Sequence, residues 1–207
     1  SNYSRHCQLP VTFADFGMSP STLQWCQTKG KVIFPSFNDE LIAPKEKISS
    51  ENRALWERWY GKDMWLWRKN CFKKPFAFAL SPYDETLWLD LDCEVMKPLE
   101  PIFDQIQTFD FAIADPMQDQ QYNSGVVVFK KTTPILPKWI ELCIHHNDQF
   151  CGDDYALTAL LNNEKIPFQI LPIEWNWVTK LGINLFINVF HFSTALGKNF
   201  IKIHRGI

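Results

Sequence analysis

An α/β fold, with a mainly parallel sheet flanked by helices, is what this sequence predicts, and three observations carry it. Short apolar segments of strand length alternate with segments of helical spacing along the chain. One of them, Ser124–Lys131 (SGVVVFKK), is a run of β-branched residues, as expected of a strand buried on both faces. Length bounds the rest: 207 residues suffice for one well-buried domain and fall short of two generous ones. Residues 1–207 are therefore read as a single domain.

The elements follow in order. Pro10–Phe16 (PVTFADF) reads as a buried strand stopped by Gly17, with Ser19 or Ser21 placed to cap the next helix. Lys31–Phe34 (KVIF) is a second strand, and the polar, Pro-containing stretch Pro35–Ser50 is a loop. From Glu51 to Leu80 apolar residues recur at helical spacing (Leu55, Trp56, Trp59, Tyr60, Met64, Trp65, Trp67), with breaks expected at Gly61 and Pro75. Thr86–Leu91 and Phe109–Ala114 are strands, the latter ended by Pro116. Pro134–His146 and Asp153–Asn163 are helices, and Gln169–Pro172 is again extended.

Composition narrows the function classes. Hydrophobic residues make up 46% and charged residues 21%, the balance of a globular fold and not of a disordered tail. A net charge of −2 gives no electrostatic reason to bind nucleic acid or anionic lipid. The 6 cysteines show no CxxC and no zinc spacing, so reduced, buried thiols are expected, which fits a cytoplasmic setting. No signal-peptide pattern opens the sequence, and no apolar run approaches the ~18 residues of a membrane span. Peripheral attachment at a membrane stays open. Aromatic content is high, with 9 Trp and 17 Phe. A Trp-rich core is the favoured explanation, and a sugar-lined cleft is the other.

Chemistry enters at Leu87–Val95 (LWLDLDCEV), where two carboxylates follow an apolar strand one residue apart. Residues i and i+2 of a strand share a side, so Asp90 and Asp92 are expected to converge at its carboxyl end, the edge where open α/β sheets bind ligands. Two hard oxygen ligands there suit Mg²⁺ or Mn²⁺. A pair of solvated carboxylates satisfies the same pattern. So does a phosphatase of the haloacid-dehalogenase type, although there the motif stands early in the chain.

The segment Lys74–Val95 (KPFAFALSPYDETLWLDLDCEV), with motifs continuing in order to Lys198, resembles the retaining GT-A glycosyltransferases related to glycogenin, family eight of the sugar-transferase classification. The resemblance implies a Rossmann-like GT-A domain and a metal-dependent transferase. Such an enzyme moves a hexose from a nucleotide-sugar, a UDP-sugar such as UDP-glucose or UDP-galactose, to an acceptor. It implies that Asp90, Asp92 and His191 hold Mn²⁺ or Mg²⁺ against the diphosphate, with Asp90 also facing the donor. Lys74, sixteen positions before Asp90, matches a basic donor contact, and a surface lysine is its plainer reading. Asp115 and Asn123, in IADPMQDQQYNSGVV, match sugar-binding positions, with Ser124 and Gly125 letting the chain turn close to the donor.

Gly152–Leu157 (GDDYAL) resembles the family's Gly-Asp-Gln element, which makes Asp153 and Asp154 the carboxylates assigned to the reacting carbon. Asp154 replaces the family's Gln. An Asp there is able to form a glycosyl-enzyme or to stabilise an oxocarbenium-like state. Helix capping by Asp153 is the structural alternative. Leu171–Val178 (LPIEWNWV) matches a Leu-Pro-x-x-x-Asn stretch, read as structural, with Trp175 or Trp177 contributing to an acceptor cleft. Val189–Lys198 (VFHFSTALGK) resembles the C-terminal His-Phe…Gly…Lys motif, where Lys198 holds the diphosphate. Thr194 stands where the family usually has Gly, so Gly197 is expected to supply the turn.

The family's first strand has no counterpart here, since SNYSRHCQLPVTFADFG reads as the end of a helix followed by the second strand. The domain is thus expected to be a natural variant or N-terminally incomplete. That gap, together with Asp154, keeps a second class open: a non-catalytic module that binds nucleotide-sugar or glycan. The expected partners are a nucleotide-sugar donor and a carbohydrate, lipid-linked glycan or protein acceptor. No nucleic acid and no integral membrane segment is expected.

Overall fold

The computed structural model describes residues 6–115, 120–182 and 184–205. The chain forms two compact units, one of residues 10–82 with 134–166, the other of the segments up to Leu9, 83–133 and from 167 onward.

In the first unit, β1 (Thr12–Ala14) and β2 (Lys31–Ile33) pair in parallel, Thr12 opposite Lys31. Between them runs α1 (Pro20–Gln27), started as the sequence predicts: the Ser19 hydroxyl accepts the Thr22 N–H at 3.2 Å, and Pro20 lies in the first turn, where no N–H is needed. The predicted loop over 35–50 contains two single 3₁₀ turns, Asp39–Leu41 and Lys45–Lys47. Residues 50–79 resolve into α2 (Ser50–Tyr60), α3 (Met64–Cys71) and α4 (Lys74–Ala79). Gly61 ends α2 with φ of 75°, a left-handed conformation that favours glycine. Pro75 breaks nothing. It sits in the first turn of α4, and the chain departs from helix instead at Phe72 and Lys73. The unit closes with α5 (Ile135–His145) and α6 (Asp153–Asn163), close to their predicted bounds.

Its core holds Ile48, Trp56, Met64 and Cys151, arranged around a buried cation. Arg68 donates to the carbonyls of Ala43 at 3.2 Å, Phe150 at 2.9 Å and Asn147, and its guanidinium lies 5.3 Å from the Trp56 ring centre and 4.9 Å from that of Phe72. One aromatic group of the Trp-rich region therefore encloses an arginine that ties three loop carbonyls together. Burial pulls its pKa down to about 10.

In the second unit, β3 (Glu85–Leu89), β6 (Val126–Lys130), β5 (Phe111–Ala114) and β7 (Gln169–Leu171) form one sheet in the order β3-β6-β5-β7. A smaller sheet has the order β4-β9-β8, from β4 (Cys93–Val95), β9 (Val189–His191) and β8 (Trp177–Val178). The α/β class holds, but the pairing is mixed and not mainly parallel. β6 runs antiparallel to both β3 and β5, and only β7 joins β5 in parallel. The reason is local: the connection from β5 to β6 is too short for the helical crossover that a parallel pair requires. β6 itself is fully buried from Val126 to Phe129, as its β-branched run predicts. Leu99, Ile102 and Ile106, along the 3₁₀ segment Glu100–Ile106 and its cap, pack with Ala112, Val126, Val128, Leu171 and Val189. A last helix, α7 (Thr194–Arg205), follows β9. The strand stop expected of Pro116 lies outside the described residues.

Candidate active site

Strand β3 ends at Leu89, before the two carboxylates. Asp90, Leu91 and Asp92 lie instead in the turn from β3 into β4, closed by the Cys93 N–H on the Asp90 carbonyl at 3.0 Å. Asp90 and Asp92 both come near His191 because the turn folds back between two strands, and not through the pleat of one straight strand, and the close group of possible ligand atoms holds Asp92 but leaves Asp90 out. Leu91, between them, is 88% exposed. The Asp90 N–H donates to the Gly125 carbonyl at 2.8 Å and the Phe192 N–H to the Asp92 carbonyl at 2.8 Å, so the turn is held from both sides.

The second of those neighbours brings in His191. Cys93 and His191 are opposite residues of the β4–β9 pair, which sets the buried imidazole beside the turn. His191 Nε2 is 3.2 Å from Asp92 Oδ1 and 4.0 Å from Asp90 Oδ2. Asp90 Oδ1 accepts the Trp88 indole N–H at 2.7 Å, which fixes the rotation of that carboxylate.

One backbone group decides the protonation of the ring. The Gly125 N–H is an obligate donor and reaches Asn123 Oδ1 at 3.0 Å, so that atom is oxygen. Asn176 contacts the same oxygen at 2.9 Å and must do so through its Nδ2. Asn176 Oδ1 is then an acceptor, and it lies 2.9 Å from His191 Nδ1. The proton of a neutral His191 therefore sits on Nδ1, and the Nε2 lone pair faces two carboxylates. A lone pair 3.2 Å from a carboxylate oxygen is repelled by it unless positive charge lies between them. Either a second proton on Nε2 or a cation supplies it, and an imidazole oriented through its other nitrogen is the usual support for a metal ligand.

The donor set fits a divalent cation. Asp92, Cys93 and His191 each offer a ligand atom, all within 4.8 Å of one another. Cys93 is the member that the sequence reading missed. Its Sγ lies 3.8 Å from the Gly125 carbonyl. Carboxylates suit Mn²⁺ or Mg²⁺, imidazole favours Mn²⁺ over Mg²⁺, and thiolate participation favours softer ions. Burial pushes the Asp92 carboxyl up, but the His191 hydrogen bond and charge, backbone hydrogen bonding and the Lys198 charge outweigh it and hold the group below the usual carboxylate range. Lys198, exposed on α7, thus acts electrostatically on this carboxylate. Gly197 makes no turn. It lies inside α7, where a Cβ would run into the backbone of Phe192, so glycine serves a close helix-to-strand approach. Gly125 is equally constrained, because a Cβ there would overlap the His191 ring.

Three further expected residues surround this centre in sequence. Ser124 is fully buried. Asn123 has its side-chain oxygen engaged in the inner network, which makes it a support of the imidazole. Asp115 is exposed at the end of β5, and its charge, after burial, helps raise the pKa of Tyr122. Trp175 is buried in the core of this unit, and Trp177 donates its indole N–H to the Gly182 carbonyl at 2.9 Å.

The remaining expected residues belong to the other unit. Lys74, at the start of α4, is no surface lysine: its Nζ is 3.8 Å from Asp153 Oδ2, and both side chains are largely buried. Its neighbour Lys73 takes the outer partner, Asp39, at 2.9 Å. Asp153 does not cap α6. Gly152 is the cap residue, and Asp153 is the first helical residue, with its carbonyl accepting the Trp139 indole N–H at 3.0 Å. Asp154 is half-buried. Its charge adds to the burial that raises the phenol pKa values of Tyr60 and Tyr155, while the contact between the two hydroxyls raises Tyr60 further and lowers Tyr155. Trp88, Cys93 and Asn176 were invisible as site residues in the sequence. All three stood in quoted segments, but nothing there tied them to His191.

Neither a protein-family model nor a curated protein sequence matches this chain. Solved structures do. Mouse xyloside xylosyltransferase 1 in its apo form is similar over 90% of this chain and 87% of its own, with a TM-score of 0.54 and 15% identity. The glycosyltransferase GlyE of Streptococcus pneumoniae TIGR4 matches 94% of this chain, which spans half of the GlyE chain, with a TM-score of 0.60 and 16% identity. The galactosyltransferase LgtC, in complex with donor and acceptor sugar analogues, matches 97% of this chain and 86% of its own, with a TM-score of 0.52 and 14% identity. At such identities the likeness establishes the fold. It is the GT-A fold of glycosyltransferases, α/β and Rossmann-like. Among the described residues no helix is long and apolar enough to cross a membrane.

Proposed function

We propose that this chain is a metal-dependent glycosyltransferase of the glycogenin-like kind, working as one GT-A domain. It moves a hexose from a UDP-sugar, with UDP-glucose the first donor to try, to an acceptor hydroxyl with retention of configuration. The observation that carries the reading is His191 Nε2, 3.2 Å from Asp92 Oδ1 and 4.0 Å from Asp90 Oδ2 with Nδ1 held by Asn176, an arrangement that suits a cation between the ring and the carboxylates. A Mn²⁺ or Mg²⁺ ion held by Asp90, Asp92 and His191 would supply the charge that a departing nucleotide diphosphate needs.

The residues around it take complementary parts. Lys198 adds a second positive charge for the diphosphate. Asn176 and Asn123 keep the imidazole in the ligating tautomer, and Trp88 holds Asp90 in place. Asp115, with Ser124 and Gly125, is assigned to the donor sugar through the resemblance. So are Lys74 and Asp153, which face one another at 3.8 Å. Asp154 is the carboxylate assigned to the reacting carbon alongside Asp153. A turn that directs two carboxylates at a histidine suits gripping a cation better than the attack on phosphate that a phosphatase of the same motif performs. The site is proposed to operate in the cytoplasm.

The direct test of the ligands is Asp92→Ala. Mn²⁺-dependent binding of UDP-glucose should vanish in this variant, read by calorimetry against the native protein. Unchanged affinity would remove Asp92 from the metal site. A non-catalytic binding module remains the second reading, since Asp154 stands where the family has Gln. Release of UDP on incubation with the donor and Mn²⁺ would exclude it.

A further inference from the structure

Part of the aromatic surplus lies outside the core. In the unit of residues 10–82 and 134–166, Trp59 and Tyr60 at the end of α2, Trp67 on α3 and Tyr155 in the first turn of α6 form one surface cluster. Trp59 stacks on Tyr155 with ring planes 12° apart, while Tyr60 meets Trp59 and Trp67 edge to face. Trp59 is 52% exposed, Tyr60 44% and Trp67 38%, in contrast to the buried Trp56 and Trp139. Contiguous exposed rings on a globular chain mark a binding surface.

Polar atoms around these rings define the occupant. The Tyr60 and Tyr155 hydroxyls are 2.7 Å apart. A hydroxyl pair uses one proton between its members, which leaves a second proton and further lone pairs directed outward. The indole N–H groups of Trp59 and Trp67 meet no acceptor among the described residues. Asp154 precedes Tyr155 in the first turn of the same helix and brings a carboxylate to this end of it. Flat apolar faces rimmed by hydroxyl, N–H and carboxylate match a pyranose, whose C–H face is apolar and whose edge is a ring of hydroxyls. An apolar peptide would leave that polar rim unpaired.

We propose that Trp59, Tyr60, Trp67 and Tyr155, with Asp154 at their edge, form a carbohydrate-binding platform that seats the acceptor glycan. The proposal rests on the transferase reading, and it names the substrate class that the reading leaves open. Asp154 then hydrogen-bonds hydroxyls of the bound sugar. Its place next to Asp153 on α6 puts the platform at the carboxylates assigned to the reacting carbon.

The test is ¹⁵N-indole NMR of the native chain titrated with cellobiose, maltose, lactose and N-acetyllactosamine. At least one disaccharide should shift the Trp59 and Trp67 N–H signals saturably and leave buried Trp139 unmoved. Trp59→Ala should weaken that binding about five- to tenfold. Tyr60→Phe, which removes only a hydroxyl and keeps the ring, should weaken it about threefold and serves if the first variant fails to fold. The proposal is overturned if no disaccharide moves these signals, or if the shifts survive both substitutions. It is also overturned if sedimentation shows a dimer that Trp59→Ala dissociates, for then the rings cover a second copy. Mn²⁺-dependent nucleotide-sugar binding by the native protein is measured separately. Its absence counts against the transferase reading, whereas silent indole signals count against the platform.

Discussion

Replacing Asn176 by Leu probes the network that fixes His191. The side chain is 2% exposed and makes three contacts: Nδ2 to Asn123 Oδ1 at 2.9 Å and to the Asn123 carbonyl at 3.2 Å, and Oδ1 accepting from His191 Nδ1 at 2.9 Å. Asn123 Oδ1 keeps the Gly125 N–H, so the group left stranded is the His191 Nδ1–H. A buried donor without an acceptor costs about 1–3 kcal/mol. For a chain of this size that corresponds to a fall in Tm of about 2–12 °C. The ring is able to recover by moving its proton to Nε2, and that removes the lone pair facing Asp92. Metal affinity should therefore drop about 10- to 100-fold, the usual effect of losing a ligand's hydrogen-bond support. Electron paramagnetic resonance of free Mn²⁺, titrated with protein in the presence of UDP, reads this directly. Asn176→Asp keeps an acceptor for Nδ1–H and should lose less affinity than Asn176→Leu. Native Mn²⁺ affinity in a folded Asn176→Leu protein would refute the tautomer argument.

Two other perturbations bear on the same structure. Gly125→Ala sets a methyl group into the His191 ring and against Asn123 Oδ1; overpacking of this kind costs about 1–3 kcal/mol, so thermal melting should fall and Mn²⁺ binding weaken together, whereas a native melt with native binding would show that the ring has room to move. Burial raises the Cys151 thiol to about 12, with nearby Arg68 opposing it in part. A raised folded-state value means that this thiol's contribution to stability is complete below the ordinary thiol range and is lost as pH climbs toward that value. Alkaline unfolding should be less steep with pH in Cys151→Ala than in the native chain, and an identical slope would deny the shift.

Where strands and helices lie was readable because their period and punctuation are local. β6 announced itself by β-branched residues, α1 by the capping Ser19, and α6 by its bounds to the residue. The direction of strand pairing was not readable, since it depends on how β5 and β6 are joined and not on the residues within them. Pro75 misled for a related reason: the same ring that breaks a helix interior opens a helix when it falls in the first turn. At the site, Asp90, Asp92 and His191 were legible through ordered motifs, but the way they meet was not. A turn, and not a pleat, carries the carboxylates toward His191, and the β4–β9 pairing delivers the histidine. Cys93 and Asn176 became site residues only through contacts between distant segments, which no spacing along the chain encodes. Gly197 was expected at a turn and found inside a helix, since a glycine required for close approach and one required for a bend look alike in sequence.

The central claim is that Asp90, Asp92 and His191 form a metal centre for a nucleotide-sugar. Thermal melting of the native chain with UDP-glucose, UDP-galactose and other nucleotide-sugars, each with and without Mn²⁺, tests it most directly. A rise in Tm that requires both metal and nucleotide-sugar is the predicted result, because the cation joins the carboxylates to the diphosphate. Stabilisation by nucleotide-sugar that is the same with Mn²⁺ and with chelator, or none at all with either, would contradict it.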